Sequence, residues 1–179
     1  MRDVWRAWYE AGVIEFPDTV PQAAEGAVVA IGNFDGVHAG HKHLLAQARA
    51  KAEALGLPLV VLTFEPHPRS VLFPDVPLHR LSTADEKLAL LKAAGADAVA
   101  VVPFDLTVAT WTPDDFVQRV LVDWLRARAV VVGANFRYGH KAAGDTASLA
   151  ADGRFEVVVV DLLEDDGGVI SSRRLRGEG

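Results

Sequence analysis

The chain has 179 residues, of which half are apolar and 23% are charged, and its net charge is −6. This length and balance are typical of one globular domain with a sizeable core, and the acidic charge argues against broad nucleic-acid binding. The sequence has no cysteine, which excludes disulfides and thiolate chemistry, and no apolar run approaches the ~20 residues of a membrane span. We therefore expect a cytoplasmic protein with no nucleic-acid or membrane partner, and the oligomeric state stays open.

Residues 1–26 form a leader that differs from the rest of the chain. Charged residues in its first ten positions interrupt any apolar run of the kind that a secretory signal needs. Trp5, Trp8 and Tyr9 form an aromatic cluster ahead of two prolines. The cluster favours a short amphipathic helix packed on the domain, and a contact with a partner is the alternative.

From Ala27 onwards, apolar runs alternate with helical patterns. Strands are predicted over residues 27–31, 59–64, 98–102, 129–133 and 155–160. Helices are predicted over about 42–55, 83–94, 112–126 and 146–151. Residues 65–80 carry four prolines and predict a loop without a helix, and residues 134–144 predict a polar loop. The alternation predicts an α/β fold: a Rossmann-like open, mainly parallel sheet with helices on both faces.

The junction between the first strand and the first helix carries the strongest functional signal. His38 and His41 lie three residues apart at the start of a helical pattern, so their side chains are expected to point the same way. Gly36 and Gly40 would let a phosphate approach the backbone closely. The helix start also offers unpaired N–H groups and the positive end of a dipole. Together these features predict a nucleotide-triphosphate site.

Polar segments also follow other predicted strands. Residues 65–68 follow the second strand, residues 135–138 follow the fourth, and residues from Ser171 onwards follow the last apolar pair, Val169–Ile170. In open parallel sheets, ligands bind at the carboxyl ends of the strands. These segments are therefore expected to meet the two histidines around one cleft.

The segment Gly32–His41 ends in His-x-Gly-His and resembles the signature of the nucleotidyltransferase superfamily. Its longer string, Gly-Asn-Phe-Asp-Gly-Val-His, resembles the adenylyltransferase (FAD synthetase) module of bacterial bifunctional riboflavin kinase/FMN adenylyltransferases. Residues 63–68, 133–139 and 170–176 are similar to the second, third and fourth motifs of that family. The resemblance runs from about residue 27 to residue 176, so residues 27–179 are expected to form the adenylyltransferase domain.

This resemblance implies that the chain transfers AMP from ATP to FMN, giving FAD and pyrophosphate. His38 and His41 would hold the triphosphate and stabilise developing charge, and Arg176 would neutralise the leaving pyrophosphate. ATP binding is expected of Gly32, Asn33, Phe34, Asp35, Gly40, Ser171 and Ser172. Flavin binding is expected of Phe64, Pro66, His67, Asn135 and Tyr138. Mg²⁺ is expected on the phosphates, largely through water and phosphate oxygens, with Asp35 as the nearest carboxylate.

The residue types suit the flavin roles. The Asn135 amide can both donate to and accept from the edge of an isoalloxazine ring, and the Tyr138 ring can stack on a flat ring system. Prolines on both sides of His67 stiffen its loop and fix where the imidazole points.

The fourth motif departs from the family at two positions. Arg173 stands where the family usually has Thr, and Leu175 stands where it has Ile. The first change removes a hydroxyl and adds a cation, so the phosphate contact of that threonine is not carried over. The family normally continues into a riboflavin kinase domain, whereas this sequence ends at Gly179. Either the sequence is truncated or it carries only the first module, and no kinase activity is expected of it.

Three other functions stay open at this point. The first keeps the superfamily but changes the acceptor, as in a cytidylyltransferase or a pantetheine-phosphate or nicotinamide-mononucleotide adenylyltransferase; the residue 63–68 and 133–139 segments argue against it. The second is a flavin- or nucleotide-binding module without catalysis. The third is a metal site formed by His38, His41 and His67, although no carboxylate spacing completes a recognisable ligand set.

Overall fold

The computed structural model describes residues 12–21, 24–165, 168–171 and 175–176. Its strands are β1 (Val13–Glu15), β2 (Val28–Ile31), β3 (Leu59–Glu65), β4 (Ala98–Pro103), β5 (Ala129–Gly133), β6 (Arg137–Tyr138), β7 (Gly144–Asp145), β8 (Glu156–Val160), β9 (Glu164–Asp165) and β10 (Gly168–Val169). Its α-helices are α1 (Ala39–Leu55), α2 (Pro68–Leu72), α3 (Ala84–Ala93), α4 (Pro113–Phe116) and α5 (Thr146–Ala151). A π-helix (Val117–Trp124) continues α4, and short 3₁₀ turns cover Val108–Thr110 and His140–Ala142.

Within the described residues, six strands form one sheet in the order β1-β4-β3-β2-β5-β8, and every neighbouring pair is parallel. The predicted parallel α/β fold is therefore confirmed. The chain leaves the central strand β2 towards β3 and β4 on one side, then crosses back to β5 and β8 on the other. This reversal makes a crevice between the carboxyl ends of β2 and β5, which is where ligands bind in such sheets.

Alternating side chains of the buried strands form two cores, one on each face of the sheet. Val28 and Ala30 of β2 pack with buried residues of α1 and α3, such as Leu45 and Leu91. Val29 and Ile31, on the opposite face, pack with the π-helix and with Leu149 of α5. Because both faces are covered, the strands are continuous apolar runs, as the sequence pattern indicated.

The leader contributes to the sheet in a way that the sequence pattern did not predict. Residues Val13–Glu15 form the edge strand β1, paired in parallel with Val99–Val101 of β4. A three-residue strand is too short to show a period, and its partner lies far along the chain. The aromatic cluster of Trp5, Trp8 and Tyr9 lies outside the described residues.

Two connecting segments are more ordered than predicted, and one predicted helix differs in type. Residues 65–80 include helix α2, so the expectation of a loop without a helix was wrong; Pro68 occupies the first helical position, where no N–H is needed. Residues 134–144 contain β6, which pairs antiparallel with β7, in place of an irregular loop. The helix predicted over 112–126 exists, but most of it is a π-helix.

Helix length and hydropathy also bear on the membrane question. In the part of the chain that the structure describes, no helix combines the length and apolar character that crossing a bilayer requires.

Candidate active site

His38 is the N-cap of helix α1, and its ring makes the bonds that begin the helix. The backbone N–H groups of Gly40 and His41 donate to His38 Nδ1 at 3.0 and 3.3 Å. In return, the N–H of His38 donates to His41 Nδ1 at 3.3 Å, which closes a capping box. The two rings stack with their centroids 3.7 Å apart. The expectation that the two side chains point the same way is confirmed.

These contacts determine where each neutral imidazole carries its proton. Because Nδ1 of both rings accepts a backbone N–H, the proton of each neutral ring lies on Nε2. Both rings line the cleft at the end of the sheet. Two parallel N–H donors at a helix N-terminus suit the oxygens of a polyphosphate.

Gly40 is required because the His38 ring lies against it. A Cβ added there would lie 2.9 Å from Cε1 of His38 and 3.3 Å from the Ile170 carbonyl oxygen. The His38 ring would have to shift, and small misplacements of reacting groups lower rates steeply.

We expect Gly40→Ala to lower the turnover of the chain at least about tenfold with little change in stability. Gly56 is the matched control, because it is left-handed (φ +66°) and has nothing within 4 Å of an added Cβ. Gly56→Ala should lower the free energy of unfolding by about 1 kcal/mol and leave turnover unchanged. Turnover by Gly40→Ala equal to that of the parent would contradict this account.

Two histidines of the site are held in the neutral form. Burial, the adjacent His38 ring and Lys87 lower the pKa of His41 to about 3, although Asp35 opposes the shift. Burial and Arg176 likewise lower the pKa of His67 to about 4. His67 is 6% exposed and caps helix α2 by accepting the N–H of Arg69 at Nδ1. Both therefore act as neutral hydrogen-bonding groups near pH 7.

The low pKa of His67 predicts a pH dependence of stability. The unfolded chain takes up a proton on this histidine near pH 6.5, whereas the folded protein does not until about pH 4. The unfolded state therefore binds more protons below pH 6.5, and the free energy of unfolding falls as the pH drops through that window.

We expect His67→Asn, which keeps a capping side chain but does not titrate, to lose less stability than the parent between pH 7.5 and pH 5. The difference should reach up to about 2 kcal/mol. Urea unfolding of both proteins at the two pH values measures it, and the other titrating groups cancel in the comparison. Equal losses in parent and variant would show that His67 titrates normally in the folded protein.

Asp35 lies at the floor of the cleft and is 1% exposed. The backbone N–H of Leu81 donates to both of its oxygens, the N–H of Ser82 donates to Oδ1, and Nη1 of Arg176 donates to Oδ2 at 2.7 Å. Burial alone would raise the pKa of Asp35, but these bonds hold it below its ordinary value. A buried carboxylate thus ties the histidine loop to the fourth motif, 141 residues away.

The donors around Asp35 bear on its suitability for a metal ion. An ionised carboxylate has about four lone-pair positions, and the four contacts described above use them. Among the described residues, no group of three His, Asp or Glu side chains is arranged to hold a metal ion. Asp35 does not fit the role of a magnesium ligand.

One cleft of about 1350 Å³ joins these elements. That volume exceeds the range of about 300–1,000 Å³ of an ordinary small-molecule site. Its polar lining includes the glycine-rich loop, both histidines, Ser171 and Arg176. Its apolar lining includes Phe64, Leu72, Phe73, Phe104, Trp111, Phe116, Phe136 and Tyr138. The cleft can therefore accept two nucleotide-sized molecules, one with a phosphate chain and one with a flat ring.

Nearly all of the site residues predicted from the sequence line this cleft. They are Gly32, Asn33, Phe34, Asp35, His38, Gly40, His41, Phe64, His67, Asn135, Tyr138, Ser171 and Arg176. Pro66 is exposed and is not among the residues that line it. Ser172 lies outside the described residues.

Tyr138 lines the cleft, but most of its side chain is covered by neighbouring residues. It is only 8% exposed, its hydroxyl lies 3.0 Å from Ser148 Oγ, and its ring stacks on Phe136 at 5.5 Å. Phe136 is the less buried of the pair and also lines the cleft. The sequence analysis did not select Phe136, although its place between Asn135 and Tyr138 was a usable signal.

The sequence analysis also missed a partly buried ionic cluster of Glu65, Arg80 and Lys87. Arg80 binds Glu65 through both Nη atoms at 2.9 and 2.8 Å, and Lys87 Nζ lies 2.6 Å from Glu65 Oε1. Burial alone would raise the pKa of Glu65, but hydrogen bonds from Arg80 and Lys87 hold it below its ordinary value. The sequence did not indicate that these charged residues interact, because Glu, Arg and Lys are normally exposed.

A model of the family described as FAD synthetase matches residues 20–174 of this chain. The chain belongs to the FAD synthetase family. Curated members with similar sequences are named bifunctional riboflavin kinase/FMN adenylyltransferase. The protein from Haemophilus influenzae is 39% identical over 138 residues, or 76% of this chain and 45% of that protein. The protein from Escherichia coli K12 is 37% identical over 155 residues, or 85% of this chain and 50% of that protein.

A solved structure shares the fold of this chain over nearly its whole length. It is described as a macrolide-efflux protein from Streptococcus pneumoniae and superposes with a TM-score of 0.80 at 27% identity. The match covers 93% of this chain and 55% of the other. This member of the FAD synthetase family thus spans about half the length of the curated relatives that it matches.

Proposed function

We propose that this chain is an FMN adenylyltransferase, which transfers AMP from ATP to FMN and releases pyrophosphate, and that residues 27–179 carry this activity. The observation that carries the proposal is one cleft lined both by the paired imidazoles at the beginning of helix α1 and by a set of aromatic side chains, the aromatic wall. Membership of the FAD synthetase family supports the assignment. Strand β1, which comes from the leader, is an edge strand of the sheet of this domain and pairs with β4.

In the proposed reaction, a phosphate oxygen of FMN attacks the α-phosphorus of ATP. The new phosphorus–oxygen bond forms the pyrophosphate bridge of FAD, and the bond from the α-phosphorus to the α,β-bridging oxygen breaks in line with it. The leaving pyrophosphate takes the electron pair. The chain supplies no covalent nucleophile, so its contribution is positioning and charge stabilisation.

The Nε2–H groups of His38 and His41 would donate to the triphosphate, and Arg176 would offset the charge on the leaving pyrophosphate. Because the pKa of His41 is about 3, its ring is neutral near pH 7 and can donate a hydrogen bond to a phosphate oxygen from Nε2. Asn135, Phe136 and Phe64 would receive the isoalloxazine ring. Mg²⁺ would enter with the triphosphate as MgATP, held by phosphate oxygens and water.

The test is incubation of the purified chain with FMN and MgATP, followed by separation of the flavins. We expect FAD and pyrophosphate in equal amounts. Acceptors of related enzymes, such as nicotinamide mononucleotide or phosphopantetheine, should not replace FMN, because they lack a large flat ring for the aromatic wall. Binding of FMN, seen as a change in its fluorescence, without FAD formation would instead indicate a non-catalytic flavin-binding module.

A further inference from the structure

Lys87 has an unusual position for a lysine in a helix. It lies on α3, where Asp85 and Glu86 are exposed, yet it is 1% exposed. Its Nζ lies 2.6 Å from Glu65 Oε1 and donates to the carbonyl oxygen of Asn33 at 3.0 Å, to Thr63 Oγ1 at 3.0 Å and to the carbonyl oxygen of Phe64 at 3.2 Å. A buried ammonium needs such a set of partners to offset the loss of its hydration.

These partners belong to two different loops that border the cleft. Asn33 lies in the loop after β2 that leads to the paired histidines, on the proposed ATP side. Phe64 and Glu65 are the last residues of β3 and lead to His67, on the proposed flavin side. Thr63 strengthens the link, because its hydroxyl donates to the carbonyl oxygen of Asn33 at 3.2 Å. One buried cation therefore bonds the backbones of both loops.

Stability alone does not account for this arrangement. Apolar side chains of similar volume often replace a buried ion pair with no loss of stability. A lysine that donates to two main-chain carbonyl groups fixes the separation of the two loops, which apolar packing does not do. In-line transfer requires the attacking oxygen and the α-phosphorus to be held about 3–3.5 Å apart.

We propose that Lys87 is a positioning residue that sets the ATP-binding loop and the flavin-binding loop at the separation needed for transfer. This inference rests on the proposed adenylyltransferase activity. Each half-site keeps its own contacts when Lys87 is changed, so both substrates still bind. The chemical step slows because the two reacting groups are no longer held together.

The experiment compares steady-state constants for FAD formation by the parent and by Lys87→Met, which keeps the length and apolar stem of the side chain. We expect kcat to fall at least about tenfold while KM for FMN and for ATP each change less than about threefold. Lys51→Met is the matched control: Lys51 also pairs with a glutamate, Glu156, at 2.7 Å, but away from the cleft. Its kcat should equal that of the parent.

A second variant separates positioning from the charge of the ion pair. Lys87→Met alone leaves Glu65 bonded to both Nη atoms of Arg80, so its carboxylate is not left unpaired. Lys87→Met combined with Glu65→Gln removes both charges of the Lys87–Glu65 pair, and its kcat should stay low, because the carbonyl groups of Asn33 and Phe64 still lack the Lys87 donor.

Thr63→Val removes no charge but removes the two bonds of the Thr63 hydroxyl, one from Lys87 and one to Asn33. It should lower kcat in the same direction by a smaller factor.

Three results would overturn the inference while leaving the proposed function intact. They are a parent-like kcat in Lys87→Met, a parent-like kcat in the double variant, and a parent-like kcat in Thr63→Val if Lys87→Met does not fold. A parent chain that forms no FAD would overturn the proposed function, and this inference with it.

Discussion

His38→Asn is expected to lower FAD formation by roughly 10²-fold or more, the usual effect of removing one donor to developing charge. Asparagine is a good N-cap residue, so it can replace Nδ1 as the acceptor for the N–H groups of Gly40 and His41. It does not reach into the cleft as the Nε2–H of the imidazole does. The variant thus keeps the beginning of α1 and loses only the contact to the triphosphate.

Comparison with His38→Ala shows why asparagine is the better test. Alanine removes the cap as well, and we expect both more than roughly tenfold loss of turnover and a loss of about 1 kcal/mol in the free energy of unfolding. His43→Asn is the control, since His43 lies on the same helix and is not among the residues that line the cleft. If His38→Asn retained the parent rate, His38 would have no part in the chemistry.

Arg176→Met is expected to lower FAD formation by roughly 10²-fold or more, because the charge of the leaving pyrophosphate loses its cation. The same change removes a side chain that is 4% exposed and bonded to Asp35 at 2.7 Å. Arg154→Met is the matched control: Arg154 also bonds an aspartate, Asp152, at 2.7 Å, but 43% of its side chain is exposed. The control should keep the parent rate.

Arg176→Met should also change the acid stability of the protein. Asp35 has a lowered pKa, so its stabilising contribution is complete above its unfolded value and is lost as the pH falls through the folded value. Without Arg176 the pKa of Asp35 rises towards its unfolded value, so the variant is less stable than the parent at neutral pH but loses less stability on acidification. Urea unfolding between pH 3 and pH 7 should show a smaller loss of the free energy of unfolding in the variant than in the parent. A variant with parent acid stability and parent turnover would remove Arg176 from both roles.

The order of the elements was accessible from the sequence because it depends on local patterns. Continuous apolar runs such as Val28–Ile31 and Ala129–Gly133 predict strands buried on both faces, and both were confirmed. The capping box at Thr83 predicted the start of α3 for the same reason: its bonds join residues three apart. Strand β1 was missed because the strand with which it pairs, β4, is distant in the chain.

Part of the candidate site was also accessible. The spacing of His38 and His41 is enough to place both rings on one turn, since a helix fixes residues three apart. The role of Asp35 was not accessible in this way. An aspartate beside a phosphate site resembles a metal ligand in sequence, but its three donors come from Leu81, Ser82 and Arg176, which are distant in the chain.

The sequence by itself determined the parallel fold, the helix start that carries the paired histidines and the four segments that border the cleft, because each depends on residues a few positions apart. The tertiary structure alone decided that Lys87 is buried between two loops and that Asp35 holds Arg176. The physical reason is the distance between these partners along the chain. Asn33 lies 54 residues from Lys87, and Arg176 lies 141 residues from Asp35. A charge is stable in such a place only when folding brings its partner to it.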